Sequence, residues 1–150
     1  MNQALPVAVL ILRVLIGAVF LVAGISKAGH AELFAAEIAG FRLLPQIVIA
    51  PMALALPYLE MMLGGYLIVG LFTRVSAWIA VALLAMFDLA IASAVVRGLT
   101  ISCGCFGPND TAVTSWTEVA RDAVLVVLAA IVALRAPGML AVDRRIGNVS

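Results

Sequence analysis

Four long apolar runs, separated by short polar or glycine-containing breaks, dominate the pattern of the chain. They cover residues 6–25, 47–72, 75–96 and 116–134. Each run has about the 20 residues that an α-helix needs to cross the hydrocarbon core of a bilayer. Charged residues, glycine or proline follow each run, as is typical of helix ends. The pattern predicts an all-α integral membrane protein whose four transmembrane helices form a bundle.

The segments outside these runs are short. Between the first two runs, Leu33, Phe34, Ile38 and Phe41 recur at helical spacing. This spacing predicts a short amphipathic helix that lies on the membrane surface. We expect residues 1–136 to form one transmembrane domain and residues 137–150 to form a mobile tail. The first run lacks a basic start and a small-residue cleavage site, which favours a retained anchor over a cleaved signal peptide.

Composition supports the membrane assignment. Hydrophobic residues make up 65% of the chain and charged residues 11%, where soluble domains have about 25% charged residues. A soluble chain of this size could not bury so much apolar surface. The formal net charge is +1, and without a basic cluster the sequence gives no reason to expect nucleic acid as a partner.

Basic residues near the predicted helix ends indicate an orientation. Arg74, Arg135, Arg144 and Arg145 lie on the side of both termini, and Lys27, Arg42 and Arg97 lie on the other. Cytoplasmic segments carry the excess of Lys and Arg. The distribution therefore predicts cytoplasmic termini, with the link between the third and fourth helices on the outer side.

Five ionisable residues fall well inside the predicted spans: Arg13, Glu60, Asp88, Arg121 and Asp122. A charge near the bilayer centre costs about 2.5–3.5 kcal/mol on insertion scales, so such residues normally face the protein and pair. From their depths we predict the pairs Arg13–Glu60 and Asp88–Arg121, with Asp122 near the positive end of the fourth helix. These charges either fix helix packing alone or form a proton path or polar pocket.

The only two cysteines, Cys103 and Cys105, lie in the segment "ISCGCFGPND" just before the fourth run. They can form a disulfide only if their Cα atoms come within about 7 Å, and Gly104 permits the tight turn required. So small a ring removes little chain entropy and stores strain, which favours exchange over a structural role. A soft-metal site with only two sulfur ligands and a pair of inert buried thiols are the alternatives.

The fourth helix is predicted to begin at "SWTE", because Ser115 and Glu118 have the spacing of a capping box. The cysteine segment would then be held at both ends, close to the membrane surface. Asp88 and Arg121 are the intramembrane charges nearest to it along the chain.

Five short motifs occur in order along the chain: "RVLIGAVFLVAGISK" at 13–27, "FRLLP" at 41–45, "LPYLE" at 56–60, "CGCFG" at 103–107 and "RDAVL" at 121–125. Together they resemble the MauE family of methylamine utilisation membrane proteins, within the wider group of DoxX-like redox-associated membrane proteins. The resemblance implies a four-helix protein of the bacterial inner membrane that handles thiols and disulfides outside the cytoplasm, beside a thioredoxin-fold partner.

Carried over to this sequence, the resemblance makes Cys103 and Cys105 the redox pair. It makes Arg13, Glu60, Arg121 and Asp122 the polar positions inside the helices.

The predicted function is that of a membrane thiol–disulfide oxidoreductase or relay between an extracytoplasmic partner and the bilayer. Cys103 and Cys105 would exchange the electrons, Arg121 would stabilise a thiolate, and Asp88 or Glu60 would move protons. A quinone is a candidate acceptor by analogy with four-helix disulfide-forming enzymes. A soft-metal or small-molecule carrier and a non-enzymatic assembly subunit are the alternatives.

Overall fold

The structure, a computed structural model, describes residues 4–102, 113–136 and 141–142. They form five helices: α1 Ala4–Lys27, α2 Ala31–Gly40, α3 Gln46–Val69, α4 Thr73–Val96 and α5 Trp116–Arg135. Within those ranges the β pairing is a single isolated antiparallel bridge. The all-α prediction is therefore confirmed for the described part of the chain.

Three of the helices, α1, α3 and α4, are long and apolar enough to cross a membrane. Helix α5 also has 20 residues, but Glu118, Arg121 and Asp122 make its first two turns charged. The described residues thus give three candidate spans, and a crossing by α5 stays a prediction.

The end of α3 shows the largest difference from the predicted helix limits. The apolar run continues to residue 72, whereas the helix ends at Val69. Gly70 has a φ of 79° and donates its N–H to the Tyr66 carbonyl. Glycine adopts this left-handed conformation without a steric penalty, so it ends the helix before the hydrophobic pattern stops.

The most extensive helix contacts join α1 to α3 and α4 to α5, while α3 and α4 touch each other much less. Glycines permit the close approach of α1 and α3: a Cβ atom at Gly64 would lie 2.6 Å from the Gly17 carbonyl oxygen, and one at Gly24 would lie 2.6 Å from the Pro57 carbonyl oxygen. Such small residues are typical of helix contacts in membranes.

Two hydrophobic clusters hold the helices together. The larger is formed by residues of α1, α3, α4 and α5: Ile16, Phe20, Leu63, Leu67, Ala77, Ala80, Ala129, Val132 and Ala133. The smaller joins α2 to the N-terminal half of α3 through Phe34, Ile38, Ile49, Ala53 and Leu56. Helix α2 exists where the sequence predicts it, with Phe34 and Ile38 buried and Leu33 exposed.

The chain connections bring several helix ends together at one end of the molecule, here called the α2 end. Arg97, just after α4, donates a hydrogen bond to the carbonyl of Phe41, just after α2. Helix α1 packs on α3, and α5 packs on α4. The α1–α2 turn and the first residues of α5 therefore lie at this end as well. Residues 137–140 and 143–150 lie outside the described part of the predicted tail, and Ala141 is buried.

Candidate functional site

The segment that carries the cysteines is defined by its two stems. Cys103 and Cys105 themselves lie outside the described residues. Ser102 and Val113, which flank the segment, form an antiparallel bridge. The two ends of the ten-residue segment between them therefore lie next to each other.

Hydrogen bonds from Thr114 hold the stems together. Its backbone N–H donates to the Ile101 carbonyl over 2.9 Å, and its hydroxyl donates to the Leu99 carbonyl over 2.7 Å. Ile101 also lies against α2, because its Cγ2 is 3.6 Å from the position of a Cβ atom at Gly40. The base of the cysteine segment is thus attached to the α2 end of the molecule.

Helix α5 begins as the sequence predicts, at Trp116 with Ser115 as its N-cap. The Ser115 hydroxyl accepts a hydrogen bond from the Glu118 backbone N–H over 3.4 Å. One turn further on, Arg121 Nη1 lies 2.6 Å from Glu118 Oε2, and Arg121 Nε lies 3.1 Å from Asp122 Oδ1. Two carboxylates of its own helix therefore hold this guanidinium.

The predicted pair Asp88–Arg121 is wrong. Arg121 reaches Glu118 and Asp122 without crossing to another helix, because these residues are its neighbours at i−3 and i+1. Asp88 Oδ1 is buried and has no hydrogen-bond partner among the described residues. Desolvation by burial and the charge of Asp122 both act on the Asp88 carboxyl. The site thus brings together two carboxylates, one from α4 and one from α5.

A buried ion pair joins α1 to α3. Lys27 Nζ lies 2.9 Å from Glu60 Oε1 and 3.0 Å from Oε2, and the two side chains are only 2% and 3% exposed. The ammonium also lies 5.1 Å from the ring centroid of Phe34 and 5.4 Å from that of Phe87. Both distances are within the range of cation–π attraction, so one carboxylate and two rings surround the charge.

The predicted pair Arg13–Glu60 is wrong. The register of α1 against α3 places Lys27, and not Arg13, beside Glu60. A Cβ atom at Gly70 would lie 2.7 Å from Arg13 Nη1. Gly70 is ten residues beyond Glu60 in the sequence, which corresponds to about 15 Å along a helix. Arg13 is therefore buried at the end of the molecule opposite α2.

Helices α1 and α2 contact different parts of α3. Gly24, near the end of α1, faces Pro57 and Met61 rather than the first residues of α3. The first turns of α3 extend beyond α1 and pack on α2 instead. The predicted pair was based only on the depths of Arg13 and Glu60 within their own apolar runs. Sequence reasoning missed Lys27 because a lysine at the end of an apolar run is typical of a simple helix stop.

Two cavities approach this pair. One, of 470 Å³, is lined by Lys27 and by residues of the α1–α2 turn, including His30 and Glu32, with Pro57 and Tyr58 of α3. The other, of 720 Å³, is largely apolar and has Phe34 and Phe87 in its wall. Among the described residues, no group of three or more His, Cys, Asp or Glu side chains is placed to hold a metal ion.

These observations define a helical membrane protein with a buried Lys–Glu pair and a cluster of charges at the end where its cysteine segment is attached. The family model described as methylamine utilisation protein MauE matches residues 5–135. The chain belongs to the MauE family.

Three curated proteins named methylamine utilization protein MauE illustrate the relationship. The Paracoccus denitrificans protein is 36% identical over 133 residues, covering 88% of this chain and 72% of that protein. The Paracoccus versutus protein is 38% identical over 119 residues, covering 79% and 64%. The Methylorubrum extorquens protein is 36% identical over 108 residues, covering 71% and 58%. The chain thus spans less than two thirds of the length of the latter two, and no solved structure matches it.

Proposed function

We propose that this protein is a thiol–disulfide oxidoreductase of the bacterial inner membrane. It would exchange electrons with a thioredoxin-fold or other disulfide-containing protein outside the cytoplasm through Cys103 and Cys105. The observation that carries the proposal is the closed base of the cysteine segment. Its stems pair through Ser102 and Val113 at the end of the molecule where buried charges gather.

The proposed topology has four crossings, with α5 as the fourth, and both termini in the cytoplasm. The extensive packing of α5 on α4 supports a crossing. Glu118, Arg121 and Asp122 lie in its first two turns and Arg135 in its last turn, where a membrane helix meets the polar interface. This arrangement would place the cysteine segment on the outer side, where disulfides form and persist.

The exchange itself is balanced within the two proteins. A partner thiolate would attack the Cys103–Cys105 disulfide, forming a mixed disulfide and releasing one cysteine thiolate. The second partner thiol would then break the mixed disulfide, so that the partner gains a disulfide and this protein gains two thiols. The reverse sequence would pass electrons outward. In either direction two electrons and two protons move together.

The charged cluster at the start of α5 would support this chemistry. Arg121 shares its charge with Glu118 and Asp122, so the positive end of the α5 helix dipole would contribute to thiolate stabilisation alongside it. Asp88, whose Oδ1 has no hydrogen-bond partner among the described residues, would exchange protons with the thiols. Glu60, held by Lys27, would be a second proton site, and Arg13 would have a structural role at the opposite end.

Trapping in cells tests the proposal. A Cys105→Ser variant leaves one thiol that should accumulate as a mixed disulfide with an extracytoplasmic protein, visible on a non-reducing gel and identified by mass spectrometry. Cys103→Ser should do the same, and the double variant, as the matched control, should trap nothing. Alkylation of the wild-type protein should show both oxidised and reduced forms of the pair.

Two results would contradict the relay. If both single variants trap nothing and the double variant supports its partner as well as wild type, the protein is a non-enzymatic assembly subunit. If Cu(I) protects both thiols from alkylation at submicromolar concentration and no mixed disulfide forms, the cysteines serve a soft-metal carrier.

A further inference from the structure

The 720 Å³ cavity, here called the α2–α4 cavity, lies between α2, the α2–α3 link, α3 and α4. It exists because α3 and α4 pack mainly on α1 and α5 and make far fewer contacts with each other. Helix α2 covers the gap that remains. Its volume is within the range of about 300–1,000 Å³ that is typical of small-molecule sites.

Apolar residues surround the mouth of the α2–α4 cavity. Leu43, Leu44 and Leu89 line it, and their side chains are 49%, 39% and 71% exposed. Leu89 belongs to α4, a candidate membrane span. Leu89 therefore faces lipid if α4 crosses the membrane, and a ligand that enters past it would be soluble in the bilayer.

The inner wall of the α2–α4 cavity narrows the choice of ligand further. Phe34, Phe41 and Phe87 place three aromatic rings in it, and Glu37 and Ser93 add a carboxyl and a hydroxyl group. Aromatic rings favour stacked or edge-to-face contact with a planar ring. A saturated acyl chain has no group that could form a hydrogen bond with Glu37 or Ser93. The carbonyl oxygens of a planar ring can accept a hydrogen bond from the Ser93 hydroxyl.

The α2–α4 cavity also lies next to the buried cation. Phe34 and Phe87 belong to its wall and at the same time lie 5.1 Å and 5.4 Å from Lys27 Nζ. The rings of Phe34 and Phe87 therefore separate the Lys27 ammonium from the α2–α4 cavity. Glu60 neutralises most of this positive charge, so a ligand in the cavity would experience the dipole of the Lys27–Glu60 pair.

We propose that the α2–α4 cavity binds a lipid-soluble quinone, with its ring among the three phenylalanines and its apolar tail directed to the leucine mouth. The redox meaning of this site rests on the proposed function. A bound quinone would supply the acceptor for the two electrons and two protons that the Cys103–Cys105 dithiol releases when it closes to a disulfide. Ser93 would donate a hydrogen bond to a ring carbonyl of the quinone, and Glu37 would accept one from a hydroxyl of the quinol. The dipole of the Lys27–Glu60 pair would act on the ring through the intervening phenylalanines.

Binding is measured on the Cys103→Ser/Cys105→Ser protein in phosphatidylcholine nanodiscs, so that the result does not depend on thiol chemistry. The probe is a short-tailed azido-ubiquinone, used for saturable photolabelling with decylubiquinone and menadione as competitors. We expect labelled peptides from α2 and α4. Ala85→Trp, which adds volume to the cavity wall, should reduce labelling at least tenfold. Ala55→Trp, at an exposed α3 position, should leave it unchanged.

A second pair of variants keeps the test valid if the tryptophan perturbs folding. Ser93→Ala removes a donor and should weaken competition by decylubiquinone about three- to tenfold, equivalent to about 0.6–1.4 kcal/mol. Glu37→Gln replaces an acceptor carboxylate with little change in volume and should weaken competition by decylubiquinol, the reduced form, by a similar factor. Labelling that is unsaturable, that a fatty acid displaces as well as decylubiquinone, or that is equal in the Ala85→Trp and Ala55→Trp proteins would overturn the proposal. A protein that binds quinone but traps no partner would refute only the relay.

Discussion

Lys27 at the end of α1 donates hydrogen bonds to both carboxylate oxygens of Glu60 in α3. The pair is almost fully buried and links the α1–α3 contact to the wall of the α2–α4 cavity through Phe34 and Phe87. A charge at this depth is costly unless it is paired, so the pair constrains both how α1 and α3 align and which substitutions the protein tolerates.

Breaking this pair on one side should destabilise the protein. Lys27→Met leaves the Glu60 carboxylate buried without its cation, and we expect a loss of about 3–5 kcal/mol in the free energy of unfolding. The double variant Lys27→Met/Glu60→Gln should regain most of that loss, because no uncompensated charge remains. Unfolding by denaturant in detergent micelles measures both effects. Arg42→Met, at an exposed position, is the control, and an equal loss in the single and double variants would contradict the assignment.

The close contact of α1 and α3 predicts opposite effects at two adjacent glycines. A Cβ atom at Gly64 would lie 2.6 Å from the Gly17 carbonyl oxygen, whereas one at Gly65 would meet nothing within 4 Å. Gly64→Ala should therefore destabilise the protein by about 1–3 kcal/mol through overpacking. Gly65→Ala should stabilise it by about 0.5–1 kcal/mol through lower chain entropy. Thermal unfolding in the same detergent compares them, and similar shifts for both variants would argue against the described α1–α3 approach.

The hydroxyl of Thr114 should control how firmly the cysteine segment is held at its base. Thr114→Val removes the hydrogen bond to the Leu99 carbonyl at nearly constant volume, which should cost about 1–3 kcal/mol locally. We expect faster hydrogen exchange at the Ile101 and Thr114 amides and faster alkylation of the reduced cysteines. Thr100→Val, at an exposed position in the same stem, should leave both rates at the wild-type values.

Neutralising Asp88 of α4 and neutralising Asp122 of α5 should have different effects on stability. Asp88→Asn removes the repulsion from Asp122 and breaks no ion pair, so stability should hold or rise. If Asp88 exchanges protons with the thiols, the same variant should slow oxidation of the cysteine pair at least tenfold in a stopped-flow assay. Asp122→Asn breaks the contact with Arg121 and should lower stability by about 1 kcal/mol, given the partly exposed guanidinium. Unchanged oxidation in Asp88→Asn would remove Asp88 from the proton path.

Local features of the structure could be predicted from the sequence because they depend on residues close together in the chain. Apolar runs of sufficient length predicted the helices that became α1, α3, α4 and α5, and the spacing of Phe34 and Ile38 predicted α2. Ser115 and Glu118 predicted the start of α5. The contact of Arg121 with Glu118 is also local, and its i, i+3 spacing could have indicated it in place of the pair with Asp88.

The alignment of α1 against α3 was decided only by the tertiary structure. Lys27 and Arg13 both lie on α1, and an apolar run gives no signal of where along a neighbouring helix it will pack. Helix α2 packs on the first turns of α3, and α1 contacts α3 further along, where Gly17 and Gly24 meet the α3 backbone. Non-local packing selected the partner of Glu60, since helix formation satisfies hydrogen bonds within each segment and leaves helix register to contacts between segments.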